Sequence, residues 1–206
     1  LLLVPACANA VNVTDGQDGL AGGLAAIGAL GLAWLGVEMG SEEVRVAGLS
    51  LAGGLGGFLI WNRPPARIYL GNGGAYAVGA LLAALAMPLI SRAGWRGLVG
   101  AGACLGLFAF ELAFTVTRRA IGRRRLMQGD RQHSYDLLAE DVGGRGRATM
   151  ILFGCAVVFV LLARFFATAP AVSAAAAGAL AAGAAAAVGL HLLRRATRGR
   201  RRGWAR

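Results

Sequence analysis

The sequence predicts an all-α integral membrane protein, a multi-spanning helical bundle whose chemistry sits in loops on one side. Three observations lead there. Of 206 residues, 57% are hydrophobic and only 15% charged, where a soluble domain carries roughly a quarter charged residues. The mean hydropathy of +0.61 also excludes a disordered chain. All 21 basic residues are arginine, against 10 acids, and they fall unevenly between loops.

In chain order, residues 1–8 read as the tail of an apolar helix, because no basic n-region or cleavage site precedes them. The chain is therefore expected to be the C-terminal part of a larger protein. Six apolar segments follow, at 20–37, 44–61, 76–90, 98–116, 149–167 and 171–193, each near the roughly 20 residues that a spanning helix needs. The third is short, and the last is rich in Ala and Gly. Small residues there, and at Gly53, Gly54, Gly56 and Gly57, favour close helix packing in lipid. Cys7, Cys104 and Cys155 lie in apolar runs without paired or metal spacing and read as small core residues. The expected organisation is a membrane domain over 1–193 and a basic tail over 194–206.

Arginine sets the orientation. If the segments alternate sides, the loops 62–75 and 117–148 and the tail after 193 hold 17 of the 21 arginines. The opposite side holds Arg45, Arg92 and Arg96, with Arg164 near a span end. This bias places the first set, and residues 9–19 with it, in the cytoplasm. The tail reads as a stop-transfer and lipid-headgroup anchor rather than a nucleic-acid binder.

Three polar clusters fall on that predicted face. NAVNVTDGQDGLAGG (9–23) runs straight into an apolar helix; Asp15 and Asp18 share a face if their turn is helical. Dipole compensation alone accounts for the acids but not for the Asn and Gly around them. NRPPARIYLGNGGAYAVG (62–79) has an extended Pro64-Pro65 stretch and a Gly71-Asn72-Gly73-Gly74 turn opening the next helix, a place whose bare amides suit phosphate. GDRQHSYDLL (129–138) brackets His133 with Asp130, Arg131 and Asp136, a setting suited to a phosphate or another charged group. Carboxylates, amides, a histidine and arginines at one membrane face suit a phosphate-bearing soluble substrate meeting a lipid. Carboxylates beside phosphates imply a divalent cation, Mg²⁺ first.

The first motif resembles the Asn-Ala-x-Asn-x-x-Asp-Gly-x-Asp-Gly-Leu signature of the polyprenyl-phosphate N-acetylhexosamine-1-phosphate transferases. The second is similar to that superfamily's Pro-Ala-x-Ile-Phe-Met-Gly-Asp-x-Gly loop, and GDRQHSYDLL to its Asp-Arg-x-His-x-His-His-Arg-Leu motif. Glu111 stands where the superfamily often has an acid in the preceding helix. The resemblance implies a multi-pass plasma-membrane enzyme with a cytoplasmic active face. It would transfer N-acetylhexosamine-1-phosphate from a UDP-sugar to an undecaprenyl or decaprenyl phosphate, releasing UMP, in cell-wall or surface-polysaccharide synthesis. Mg²⁺, or Mn²⁺ in its place, would offset charge on the diphosphate. Carried over, the catalytic residues are Asp15, Asp18 and His133. Asn12, Asn62, Tyr69, Gly71, Asp130 and Arg131 would bind substrate, with Tyr69 stacking on uracil.

Departures accompany the likeness. Asn72 stands where the superfamily places a metal-binding Asp, keeping an oxygen ligand but losing the charge. Tyr135 and Asp136 replace two later histidines, and the superfamily's adjacent Asp pair would precede residue 1. The chain alone is accordingly expected to be inactive. The alternative is a relative that binds lipid or nucleotide without transferring. The sugar, the pathway and a homodimer stay open.

Overall fold

In a bilayer no water serves the backbone, so a run of some 20 Leu, Ala, Val and Gly residues must close its own hydrogen bonds as a helix. The computed structural model describes residues 2–122, 132–170 and 183–195. Its helices are α1 (Leu3–Thr14), α2 (Leu20–Glu38), α3 (Glu42–Asn62), α4 (Gly71–Ala93), α5 (Trp95–Cys104), α6 (Gly106–Ile121), α7 (Ser134–Asp141) and α8 (Arg145–Thr168). Residues 183–195 are also helical and form α9. No strand occurs among the described residues, as an all-α membrane protein requires.

The apolar residues of α2 are not confined to one side, and this helix lies at the centre. It packs against α3, α4, α5 and α8, with Leu20 and Leu32 fully enclosed. By contrast α3 and α8 leave most of their span exposed, presenting Leu49, Ile60, Val158 and Leu161 outward, as lipid-facing helices do. Ser41 precedes α3 and donates its hydroxyl to Glu43 at 2.8 Å; Glu42 and Glu43 in the first turn complement the helix dipole.

Four helices, α2, α3, α4 and α8, are long and apolar enough to cross a membrane. They match four of the expected spans, and α4 is longer than expected because the Gly71–Gly74 segment is already its first turn. The expected span 98–116 needs correction. It is two helices, α5 and α6, meeting at 75° around Leu105. Beyond the bend α6 is asymmetric: Glu111, Thr115 and Arg118 are buried while Val116 and Ile121 stay exposed. The described residues thus hold four spans, or five with the bent pair. The expected span 171–193 lies outside the described residues up to 182, and its remainder belongs to α9.

The N-terminal helix also runs further than the apolar tail at 1–8, continuing to Thr14. Asn9 is helical because its amide donates to the Pro5 carbonyl one turn back, at 2.8 Å, which satisfies it without a loop.

Charge and aromatic residues mark both ends. At one end Arg164 pairs with Glu38 at 3.0 Å and Arg92 with Glu43 at 3.1 Å. The Arg164 guanidinium also lies over Trp34, at 5.3 Å, and that of Arg96 over Trp95, at 5.6 Å. Such Trp and Arg side chains anchor helix ends at a membrane–water boundary. At the other end Arg195 of α9 pairs with Asp141 of α7.

A close crossing of α4 over α1 depends on Gly79 of α4. A Cβ there would stand 2.5 Å from the Cys7 carbonyl oxygen and 2.6 Å from the Ala8 Cα, both backbone atoms of α1. Gly79→Leu is expected to destabilise the protein by about 1–3 kcal/mol through overpacking, read as a lower Tm in detergent. Gly53→Leu, which meets nothing within 4 Å, should leave Tm unchanged.

Candidate active site

The three polar motifs meet at one end of the bundle, and their hydrogen bonds show how. The DGQDG turn joins α1 to α2. Gly19 precedes α2 with φ +76°, a left-handed conformation that favours glycine. Its N–H donates to Asn62 Oδ1 at 3.0 Å. The Asn62 amide in turn donates to the Ile68 carbonyl at 2.8 Å, and Asn62 is only 4% exposed. One side chain at the end of α3 thereby fixes both the start of α2 and the loop leading into α4. Asp18 adds a second connection, its Oδ2 accepting the Ala66 N–H at 3.0 Å.

The third motif docks from the other side. Tyr135 is 3% exposed, and its hydroxyl donates to the Val13 carbonyl at 3.2 Å. That hydroxyl fills the space a Cβ on Gly16 would take, so this position of the turn admits only glycine. The Gln17 amide donates to the Tyr135 carbonyl at 3.4 Å, and Gln17 Oε1 accepts the Thr149 hydroxyl of α8 at 3.4 Å. Burial, followed by the charges of Glu111, Asp136 and Asp15, pushes the Tyr135 hydroxyl far above its ordinary value. It therefore stays a neutral donor.

His133 precedes α7, and its ring stacks parallel on Tyr135 with centroids 5.1 Å apart. Its Nδ1 lies 3.1 Å from Glu111 Oε1 and 3.1 Å from the Thr115 hydroxyl. Glu111, 4% exposed, also accepts the Ser134 N–H at 3.2 Å and the Ser134 hydroxyl. A buried carboxylate needs such donors to be tolerable. Asp136 Oδ2 accepts the His133 N–H at 3.3 Å, closing a capping box at the start of α7.

The remaining expected site residues are placed as follows. Asn12 lies in the last turn of α1, half-buried. Tyr69 is 70% exposed, its hydroxyl donating to the Ala66 carbonyl at 3.3 Å, which leaves the ring open to stacking. Gly71, with φ +61°, and Asn72 begin α4, both exposed. Asp130 and Arg131 lie outside the described residues. Asp15 is half-buried and has no hydrogen-bond or ion-pair partner among the described residues; burial raises its carboxyl above the ordinary value. The sequence motifs gave no weight to Gln17, Ser134 or Thr115. Each carries a hydrogen bond inside the site, and the only signal for them was a polar residue between glycines or on a helix bearing a buried acid.

Removing the Asp15 charge should stabilise the fold. A carboxyl raised by burial disfavours the folded state once it ionises, so Asp15→Asn is expected to raise Tm at pH 7. The gain should vanish below the ordinary value of 3.8, where the parent carboxyl is protonated folded or unfolded. Thermal unfolding in detergent across pH checks both limits.

Comparison with known proteins identifies the family. A family profile described as Glycosyl transferase family 4 matches residues 1–90. The chain is 35% identical over 164 residues to a phospho-N-acetylmuramoyl-pentapeptide-transferase of Symbiobacterium thermophilum, covering 79% of this chain and 47% of that protein. It is 44% identical over 105 residues to a protein of the same name in Synechococcus elongatus, covering 50% and 26%. An undecaprenyl-phosphate alpha-N-acetylglucosaminyl 1-phosphate transferase of Thermotoga maritima is 29% identical over 155 residues, covering 75% and 46%. The chain spans about half the length, 47%, of the first of these. With the DGQDG turn, the Asn62 loop and the His133 segment joined at one end of an all-α bundle, the chain belongs to the superfamily of polyprenyl-phosphate N-acetylhexosamine-1-phosphate transferases, glycosyl transferase family 4.

Proposed function

We propose that the protein transfers N-acetylhexosamine-1-phosphate from a UDP-sugar to a polyprenyl phosphate, releasing UMP, on the cytoplasmic face of the plasma membrane. The observation that carries this reading is Asp15, a half-buried carboxylate left without a partner in a turn whose neighbours are all engaged. An apolar cavity of about 380 Å³ runs between α1, α4, α5 and α6, lined by Cys7, Ala10, Leu82, Phe108, Leu112 and Val116 among others. Its apolar lining suits a polyprenyl tail.

The roles follow from chemistry. Asp15, whose proton affinity is raised by burial, takes the proton of the lipid phosphate. The freed oxygen bonds to the sugar-bearing phosphorus of the UDP-sugar, the bond from that phosphorus to the bridging oxygen breaks, and UMP leaves with the electron pair. Tyr69 offers its open ring to the uracil, and the exposed amides at Gly71 and Asn72 face the incoming anion. His133 is held by Glu111 and orders the segment over the turn.

A divalent cation, Mg²⁺ or Mn²⁺, fits this donor set in one mode. Among the described residues no three His, Cys, Asp or Glu side chains group into a metal site. Mg²⁺ is commonly held by few protein oxygens together with substrate phosphates. The Asn72 side-chain oxygen would hold it beside those phosphates, leaving Asp15 to accept the proton, and it would supply charge compensation for the diphosphate.

Membranes carrying the full-length protein, given a radiolabelled UDP-N-acetylhexosamine and undecaprenyl phosphate, should yield a lipid-extractable product. Asp15→Asn should lower the rate about 10²- to 10⁴-fold, the usual contribution of a general base. Asn72→Asp should reach half-maximal rate at a lower Mg²⁺ concentration. UDP-sugar binding without any product from the parent or Asn72→Asp would sink the transfer reading in favour of a binding protein.

A further inference from the structure

A second cavity lies at the same end of the bundle, about 420 Å³ in volume and lined by Ile60, Trp61, Arg63, Pro64, Pro65 and Arg67. None of Asp15, Asp18, Tyr69 or Asn72 lines it. Its level in the membrane follows from α3: 21 residues rise about 30 Å, the thickness of the hydrocarbon core. The last turn of α3 therefore sits among headgroups, where the exposed Trp61 and Ile60 form an amphipathic border.

Two guanidinium groups line this cavity without a carboxylate partner among the described residues. Arg45, Arg92, Arg164 and Arg195 each have one. Arg67 is held in place: its N–H donates to the Trp61 carbonyl at 2.8 Å, and its guanidinium carbon lies 5.7 Å from the Trp61 ring centroid. The loop between them is anchored to the DGQDG turn through Asp18 and Asn62, so the two charges are presented by a preorganised backbone. A pair of unpaired guanidinium groups suits a phosphate, and the apolar border suits the acyl chains beside it.

We propose that this cavity binds the phosphate of an anionic glycerophospholipid, at a place separate from the site of sugar-phosphate transfer. The loop that the lipid contacts is the one that carries Tyr69 and enters α4, so the bound lipid braces the wall of the nucleotide site from its membrane side.

Native mass spectrometry of the full chain, released from nanodiscs of phosphatidylcholine with a minor share of phosphatidylglycerol, tests this without any turnover. The parent should retain phosphatidylglycerol selectively. Arg63→Gln with Arg67→Gln should lower that retention about thirtyfold, the scale of two lost basic contacts at a membrane surface. The charge-keeping pair Arg63→Lys and Arg67→Lys, which also guards against a folding failure, should keep most of it. Arg96→Gln, which removes a Trp-stacked arginine at the other end, should change nothing. Equal retention by the Gln pair, or equal retention of phosphatidylcholine, would overturn the proposal. Displacement of the lipid by excess inorganic phosphate would reassign the cavity to a soluble anion and overturn it as well.

Discussion

A single buried amide governs the geometry of this end of the bundle. Asn62 accepts from Gly19 and donates to Ile68, so the end of α3, the start of α2 and the loop into α4 share one residue. The Gly19 N–H is buried, and leaving it unmet would cost about 1–3 kcal/mol. No hydrophobic side chain of similar volume could serve, because the two partners need opposite polarity. The Asp18 contact with Ala66 is built on the same turn and loop.

A second buried polar group organises the opposite wall. Glu111 is buried in α6, where an unpaired carboxylate would be costly. It meets the Thr115 hydroxyl one turn on in the same helix, and the Ser134 amide and hydroxyl and His133 at the start of α7. The same network sets His133 at the start of α7, and its ring in turn stacks on Tyr135, which presses beneath Gly16. The signal runs from one buried acid to the turn that bears Asp15.

The sequence shows this division of labour unevenly. Spans were legible where apolar residues run on unbroken, as in α2, α3, α4 and α8. The break at Leu105 was not, since residues 98–116 stay apolar on average and hydropathy carries no angle. The start of the site was read as loop because Asn9 and Asn12 are polar, yet the Asn9 amide bonds back to Pro5, a local solution that composition hides. The convergence of the three motifs was legible from arginine bias, because that bias sorts loops by side. Which atoms join was not, because Gln17, Thr115 and Ser134 gain meaning only through partners far away in the chain.

The two aspartates of the turn, equal in the motif, have different duties. Asp18 gives one oxygen to the Ala66 N–H, so its charge is partly spent on holding the loop, and replacing it disturbs structure before chemistry. Asp15 spends nothing on structure. Burial without a partner is a cost to folding, and a fold that keeps such a group stores the free energy for an encounter still to come, with a proton. Tyr135 reinforces the point. Its neutral hydroxyl bonds to the Val13 carbonyl just before Asp15 rather than to the carboxylate, supporting the backbone of the turn while leaving the acid open. Tyr135 is thus a fixed strut, tied through its hydroxyl to the backbone beside the turn rather than to the Asp15 carboxylate.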